Sequence, residues 1–277
     1  MLVEAGGRRL FYSGDLRAHG RKATLFDELI REPPANVDVF LMEGTHIRAD
    51  MSGEERGSSE RDIEDACAGS FRSAPGIVLA MFSPQNIDRL VTMYRACLRS
   101  GRTFVIDLYA AAVAKATGRN TIPQAEWERV RVYLPRAQKT KIIRARAFDR
   151  TEQVKADRIY PEELLARRHE LVMLFRLSMA GELERAGCLD GAQLVWSMWP
   201  GYLREPSGGR LRGWAHRLEI PMAIHHASGH AFISDLRRLV KAIDARRVVP
   251  IHSEAGDRFP EFFPRVERRR DEEWWEI

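Results

Sequence analysis

Only three cysteines occur in the 277 residues: Cys67, Cys97 and Cys188. They are odd in number, widely spaced and form no CxxC pair. A cysteine zinc site is therefore disfavoured, and a reducing, cytoplasmic setting is expected. Long apolar runs are lacking too, none approaching the ~18–20 residues of a membrane-spanning helix. The opening stretch MLVEAGGRRLFYSGD has no basic-then-apolar signal layout, so nothing in it points to secretion. No internal repeat or low-complexity tract interrupts the chain.

What is present is the composition of a globular protein, 44% hydrophobic and 30% charged, long enough to bury a large core. Forty-four Lys and Arg against 39 Asp and Glu give a net charge of +5. The excess is uneven. Residues 129–150, RVRVYLPRAQKTKIIRARAFDR, carry eight Arg or Lys and one acid. Such a run is either a solvated helix face or a surface for a phosphate backbone, where clustered cations gain affinity by releasing counterions.

The periodicity predicts an α/β protein. Leu2–Ala5 and Arg9–Ser13 flank Gly6-Gly7, a two-residue hairpin signal. A helix over Leu25–Ile30 stops at Pro33-Pro34. Strands follow at VDVFLME (37–43), GIVLAMF (76–82), RTFVID (102–107), LVMLF (171–175), QLVWS (193–197), MAIHH (222–226) and RVVPIH (247–252), with helices between them, among them ISDLRRLVKAI (233–243). Alternation of this kind implies largely parallel pairing. The loop 48–60 and the Pro/Gly-rich stretch 200–213 bracket a middle block with its own α/β pattern, which reads as an inserted domain. The expected division is 1–57 with 216–277, and 58–215.

Four strand ends then carry chemistry. Asp15 follows the second strand in FYSGDLRAHG, Glu43 ends the third, His252 ends the last, and His225, His226 and His230 crowd IHHASGHAF. Each taken alone is ordinary, since turn aspartates are common structural residues. Together they place carboxylates and imidazoles at the carboxyl ends of buried strands, where open α/β sheets take ligands. That implies one site with donors suited to zinc or manganese.

In order along the chain, FYSGDLRAHGRK, LMEGTH, FSPQNIDRL, HHASGHA and VVPIHSE resemble the motifs of the β-CASP metallo-β-lactamase proteins. These are nucleic-acid-processing hydrolases that include ribonuclease J and the cleavage-and-polyadenylation endonucleases. The resemblance spans nearly the whole chain, and its last two motifs are the specific ones. It implies the C-terminal part of a metallo-β-lactamase fold (residues 1–57 and 216–277) with an inserted β-CASP-like domain (58–215). It also implies two zinc ions in the full family site, phosphodiester hydrolysis, and RNA or other nucleic acid as partner. By the resemblance Asp15 matches the carboxylate that bridges the two ions and His252 a ligand of the second. Glu43 matches an acid that orients a ligand imidazole. His230 matches the histidine that stabilises the phosphate or protonates the leaving oxygen. His226, Ser228 and Gly229, with Ser83 and Asn86 of FSPQN, are expected to line a phosphate pocket.

One departure bears on all of this. The family's HxHxDH loop lies upstream of SGD, and no HxH occurs in this sequence. The expectation is therefore a metallo-hydrolase of the RNA-processing type that lacks its N-terminal ligands and is inactive as the chain stands. A homodimer, or a partner supplying the missing N-terminal part, is then expected. The alternative is a non-catalytic nucleic-acid-binding or scaffold subunit of the same fold.

Overall fold

The computed structural model describes residues 1–50 and 57–277. The chain divides into two compact units: Met1–Ser59 with Ser228–Ile277, and the continuous stretch Glu60–Ala227. The loop 48–60 read as a boundary includes residues 51–56, which lie outside the described residues.

The first unit opens with β1 (Leu2–Ala5) and β2 (Arg8–Tyr12), an antiparallel hairpin. Gly6 and Gly7 turn it, both at positive φ (57° and 75°), a conformation that glycine adopts without a Cβ clash. After α1 (Ala23–Arg31) comes β3 (Val39–Glu43), whose Val39, Phe40, Met42 and Glu43 are buried.

The second unit begins with α2 (Glu60–Ser73), β4 (Val78–Met81), α3 (Ile87–Arg99), β5 (Thr103–Asp107) and α4 (Leu108–Ala116). It continues through β6 (Val130–Tyr133), α5 (Arg136–Ala145), α6 (Asp149–Glu152), β7 (Arg158–Ile159), α7 (Pro161–Ala166) and β8 (Leu171–Leu174). It closes with α8 (Ala180–Ala186), β9 (Gln193–Trp196), α9 (Pro206–Arg217) and β10 (Met222–Ile224). Among the described residues these strands form a parallel sheet of order β10-β9-β4-β8-β5-β6-β7. Strands such as VLAM and LVML are apolar throughout because helices cover both faces of such a sheet. Two separate apolar clusters fill the spaces, one around Phe71, Met93 and Phe104 and one around Phe175, Leu183 and Trp214.

The chain then returns to the first unit through α10 (Ile233–Ile243) and β11 (Arg247–Ile251), with the short α11 (Phe259–Phe262) beyond. The buried Ile233, Leu236, Leu239, Val240 and Ile243 repeat at three- and four-residue spacing and form one apolar stripe. β11 pairs in parallel with β3, and β3 with β2, giving the sheet β1-β2-β3-β11.

The structure departs from two of these expectations. The second boundary falls at 227/228 rather than 215/216, because β10 hydrogen-bonds to β9 and so belongs to the second unit. The basic run 129–150 is not one helix face: Val130 and Val132 are buried in β6, and the exposed cations Arg136, Lys139, Lys141 and Arg144 ride on α5. The three cysteines are buried and free, and burial pushes the Cys67 thiol up to about 12. No helix among the described residues is long and apolar enough to cross a membrane.

A buried ion pair braces the second unit. Arg89, 1% exposed, donates to Glu60 at 3.1 and 3.2 Å and to the Ser197 hydroxyl at 2.6 Å, while Thr92 donates to the same carboxylate at 2.7 Å. Removing one partner strands the other charge away from water. Arg89→Met should therefore lower unfolding stability by about 3–5 kcal/mol, measured by denaturant titration.

Candidate functional site

The carboxyl ends of β2, β3 and β11 lie side by side because these strands are parallel neighbours. Their following residues, with the loop before α10, build a polar cluster inside the first unit. Glu43, fully buried, holds it together. Its Oε1 accepts from the Leu16 amide at 2.8 Å and the Ala231 amide at 3.4 Å, and its Oε2 lies 2.8 Å from His230 Nδ1. One carboxylate thus joins the loop carrying Asp15 to the loop carrying His230. Burial works against the charge on Glu43, but the His230 and amide hydrogen bonds outweigh it and hold the carboxyl below its usual range. The hydrogen bond to Glu43 raises His230 above its ordinary value, against partial burial and with help from the negative charges of Glu43 and Asp15.

Around that pair the donors converge. Asp15 Oδ1 is 3.1 Å from His252 Nδ1. Thr45 Oγ1 stands 3.1 Å from His230 Nδ1 and 3.2 Å from His252 Nδ1. Ligand atoms of Asp15, His230 and His252 all lie within 4.8 Å of one another. His252 sits at φ 48°, a region costly for a residue with a Cβ, and such strain is a recurrent mark of functional positions. Gly44 is required by packing, since a Cβ there would lie 2.2 Å from the Phe259 ring.

Two atoms bound to one zinc at ~2.0–2.1 Å in tetrahedral geometry are roughly 3.3 Å apart. The Asp15–His252 separation of 3.1 Å is near that value. Two donors at that spacing suit one zinc ion with most positions open and fall short of the ligands of a zinc pair.

The three histidines of IHHASGHAF part company. His225 lies in the second unit, where Ser70 Oγ is 2.8 Å from its Nε2 and burial lowers its pKa. His226, Ser83 and Asn86 belong to the second unit as well. The Asn86 side-chain oxygen accepts from the Arg89 amide at 3.1 Å and caps α3. Ser228 and Gly229 are in the first unit. The Ser228 hydroxyl accepts from the His230 amide at 3.1 Å and lies 2.8 Å from His46 Nε2. A Cβ at Gly229 would meet nothing within 4 Å, so space alone does not demand glycine there.

Thr45, His46 and His19 join the site without having been singled out from the sequence. His19 Nε2 is 2.9 Å from the Ser228 carbonyl, and both imidazoles pack on Phe232, with centroids at 4.6 and 4.9 Å. Thr45 and His46 stand in the LMEGTH motif and His19 in RAHGRK, so their signal was proximity to Glu43 and Asp15.

Residues 217–257 match the protein family described as RMMBL, the Zn-dependent metallo-hydrolase RNA specificity domain. The match includes His230 and His252. In fold, the chain is similar to a solved protein of unknown function from Enterococcus faecalis V583, with a TM-score of 0.71 and 19% identity. The likeness covers 98% of this chain and 58% of that one, so the chain spans little more than half that protein's length. No curated protein matches the chain.

The His230–Glu43 pair sets a pH window. A raised histidine contributes stability below its unfolded value of 6.5 and loses it as pH climbs through the folded value. A depressed glutamate contributes above 4.5 and loses it as pH falls. The pair should stabilise most between these limits. In metal-free protein, Glu43→Gln should shift the His230 ring titration, followed by NMR, towards 6.5 and flatten that part of the stability profile.

Proposed function

We propose that this chain is part of a zinc-dependent phosphodiester hydrolase of the β-CASP, RNA-processing kind. The first unit would be the metallo-β-lactamase-like part and the second the β-CASP-like insertion. The observation that carries the reading is the convergence of Asp15, His230 and His252 over a buried Glu43, within a chain whose residues 217–257 match a Zn-dependent RNA specificity domain. In this reading Asp15 and His252 hold zinc, and bound zinc supplies Lewis-acid polarisation of a phosphate oxygen or water. Glu43 keeps the His230 ring oriented with Nδ1 committed, leaving Nε2 for a phosphate oxygen. A protonated His230 offers that oxygen a charge-assisted donor. Ser228 and His46 hold the loop that presents it, and exposed cations of α5 add to the attraction for a polyanion.

The three donors named here do not make a two-zinc centre, and the chain by itself should bind RNA without cutting it. Elemental analysis after mild dialysis should find zinc weakly held and below one ion per chain. Two tightly held ions would overturn this.

Binding of single-stranded RNA should fall steeply with salt, the log–log slope reporting the phosphates neutralised. His230→Ala should weaken that binding while circular dichroism shows the fold intact. Filter binding that is absent at low salt, or indifferent to both salt and His230→Ala, would refute RNA recognition by this site.

A further inference from the structure

The second unit contains a cavity that the chemistry above does not use. In its sheet the connection leaving β5 runs to β6 on one side, while that leaving β8 runs past β4 to β9 on the other. Where successive connections diverge, the crevice at the strands' carboxyl ends is the ligand position of open parallel sheets. A cavity of about 880 Å³ lies there, lined by residues following β5, β6 and β8. That is within the range of small-molecule sites.

Its polar end is organised by Asp107, the last residue of β5, which is 1% exposed. Asp107 Oδ1 accepts from the Ala110 amide at 2.7 Å and caps α4, and Oδ2 receives Arg176 Nε at 2.7 Å and Gln138 Nε2 at 2.9 Å. Arg176 and Gln138 are thereby aimed by a buried carboxylate. Each still has a buried polar atom, Arg176 Nη2 and Gln138 Oε1, with no partner among the described residues. Both residues also line the cavity, so the buried carboxylate fixes part of its wall.

The rest of the lining states what that ligand is. With Arg176 paired to Asp107, Lys115, Lys141 and Arg150 still outnumber Glu126 and Asp149, which favours an anion. The half-exposed Tyr109 ring lies 5.6 Å beneath the Arg176 guanidinium and is steadied by Gln85, which donates to its hydroxyl at 2.8 Å. A rigid aromatic face next to an arginine suits a stacked planar ring.

We propose that this cavity binds a phosphorylated nucleoside, either as a free nucleotide or as one residue of an RNA strand. The phosphate meets Arg176 and the rim cations, and the base lies against Tyr109 and Gln138. The inference uses no residue of the first unit and does not depend on zinc.

Calorimetric titration of the full chain with adenosine monophosphate, inorganic phosphate and adenosine separates these contributions. The expected result is one site for the nucleotide, with phosphate and adenosine each much weaker. Ala112→Trp, at an exposed lining position, should fill the space and lower affinity at least about tenfold, the order expected for losing a charged hydrogen bond. Arg176→Lys keeps a charge against Asp107 but removes the planar donor, and should weaken nucleotide and phosphate alike. His230→Ala should leave nucleotide affinity unchanged, so failure here and failure of the RNA-hydrolase reading are distinguishable. Displacement of the nucleotide by a pentanucleotide RNA would identify the source as a strand, and no displacement would identify it as a free nucleotide. No binding, phosphate binding as tightly as nucleotide, or affinity unaffected by Ala112→Trp would each overturn the proposal.

Discussion

A buried carboxylate with no access to water governs the first unit. Glu43 has three partners drawn from segments far apart in sequence: Leu16, Ala231 and the His230 ring. Burying such a charge costs several kcal/mol unless hydrogen bonds offset it, so the loops supplying those bonds are held where the carboxylate needs them. Asp15 follows from the position of Leu16, and the His230 ring follows from its own bond. Thr45, two residues past Glu43, then reaches both His230 and His252. The donor cluster is the consequence of satisfying one acid.

The second unit repeats the logic with different groups. Asp107 sits at the end of a central parallel strand and is satisfied by a helix amide, an arginine and a glutamine. In both units the fold spends a buried carboxylate at the carboxyl edge of a sheet to fix side chains that face outward. The difference lies in what is fixed. In the first unit the oriented groups are imidazoles and a carboxylate, which suit a metal and a phosphate. In the second they are a guanidinium and an amide, which suit a hydrogen-bonding organic anion.

Much of this was legible in the sequence. Apolar runs such as VDVFLME and RVVPIH announce buried parallel strands, and the Gly6-Gly7 hairpin and the helix 233–243 need only local rules. Asp15, Glu43 and His252 stood out because a polar residue that ends an apolar strand has few structural reasons to be there. What stayed hidden depended on tertiary pairing. Val130 and Val132 read as part of a basic segment because their burial comes from β5 alongside, not from their own neighbours. His46 gave no signal alone, since its partner, the Ser228 hydroxyl, is remote in sequence. The Asp107 cavity was missed for the same reason: its three polar members come from three separate strand ends.

The pairing of β3 with β11 also sets an order of events during synthesis. β3 finds its neighbour on one side, β2, almost at once, but its other edge waits until the whole of Glu60–Ala227 and then α10 have been made. Such distant pairing carries a large loop-closure cost and is slow, whereas the continuous second unit has every strand it needs before that moment. A nascent chain emerging from the ribosome would therefore hold an open, hydrogen-bond-hungry strand edge until β11 arrives. Glu43, at the end of that strand, would stay in water until the segment from Ser228 onward closes over it.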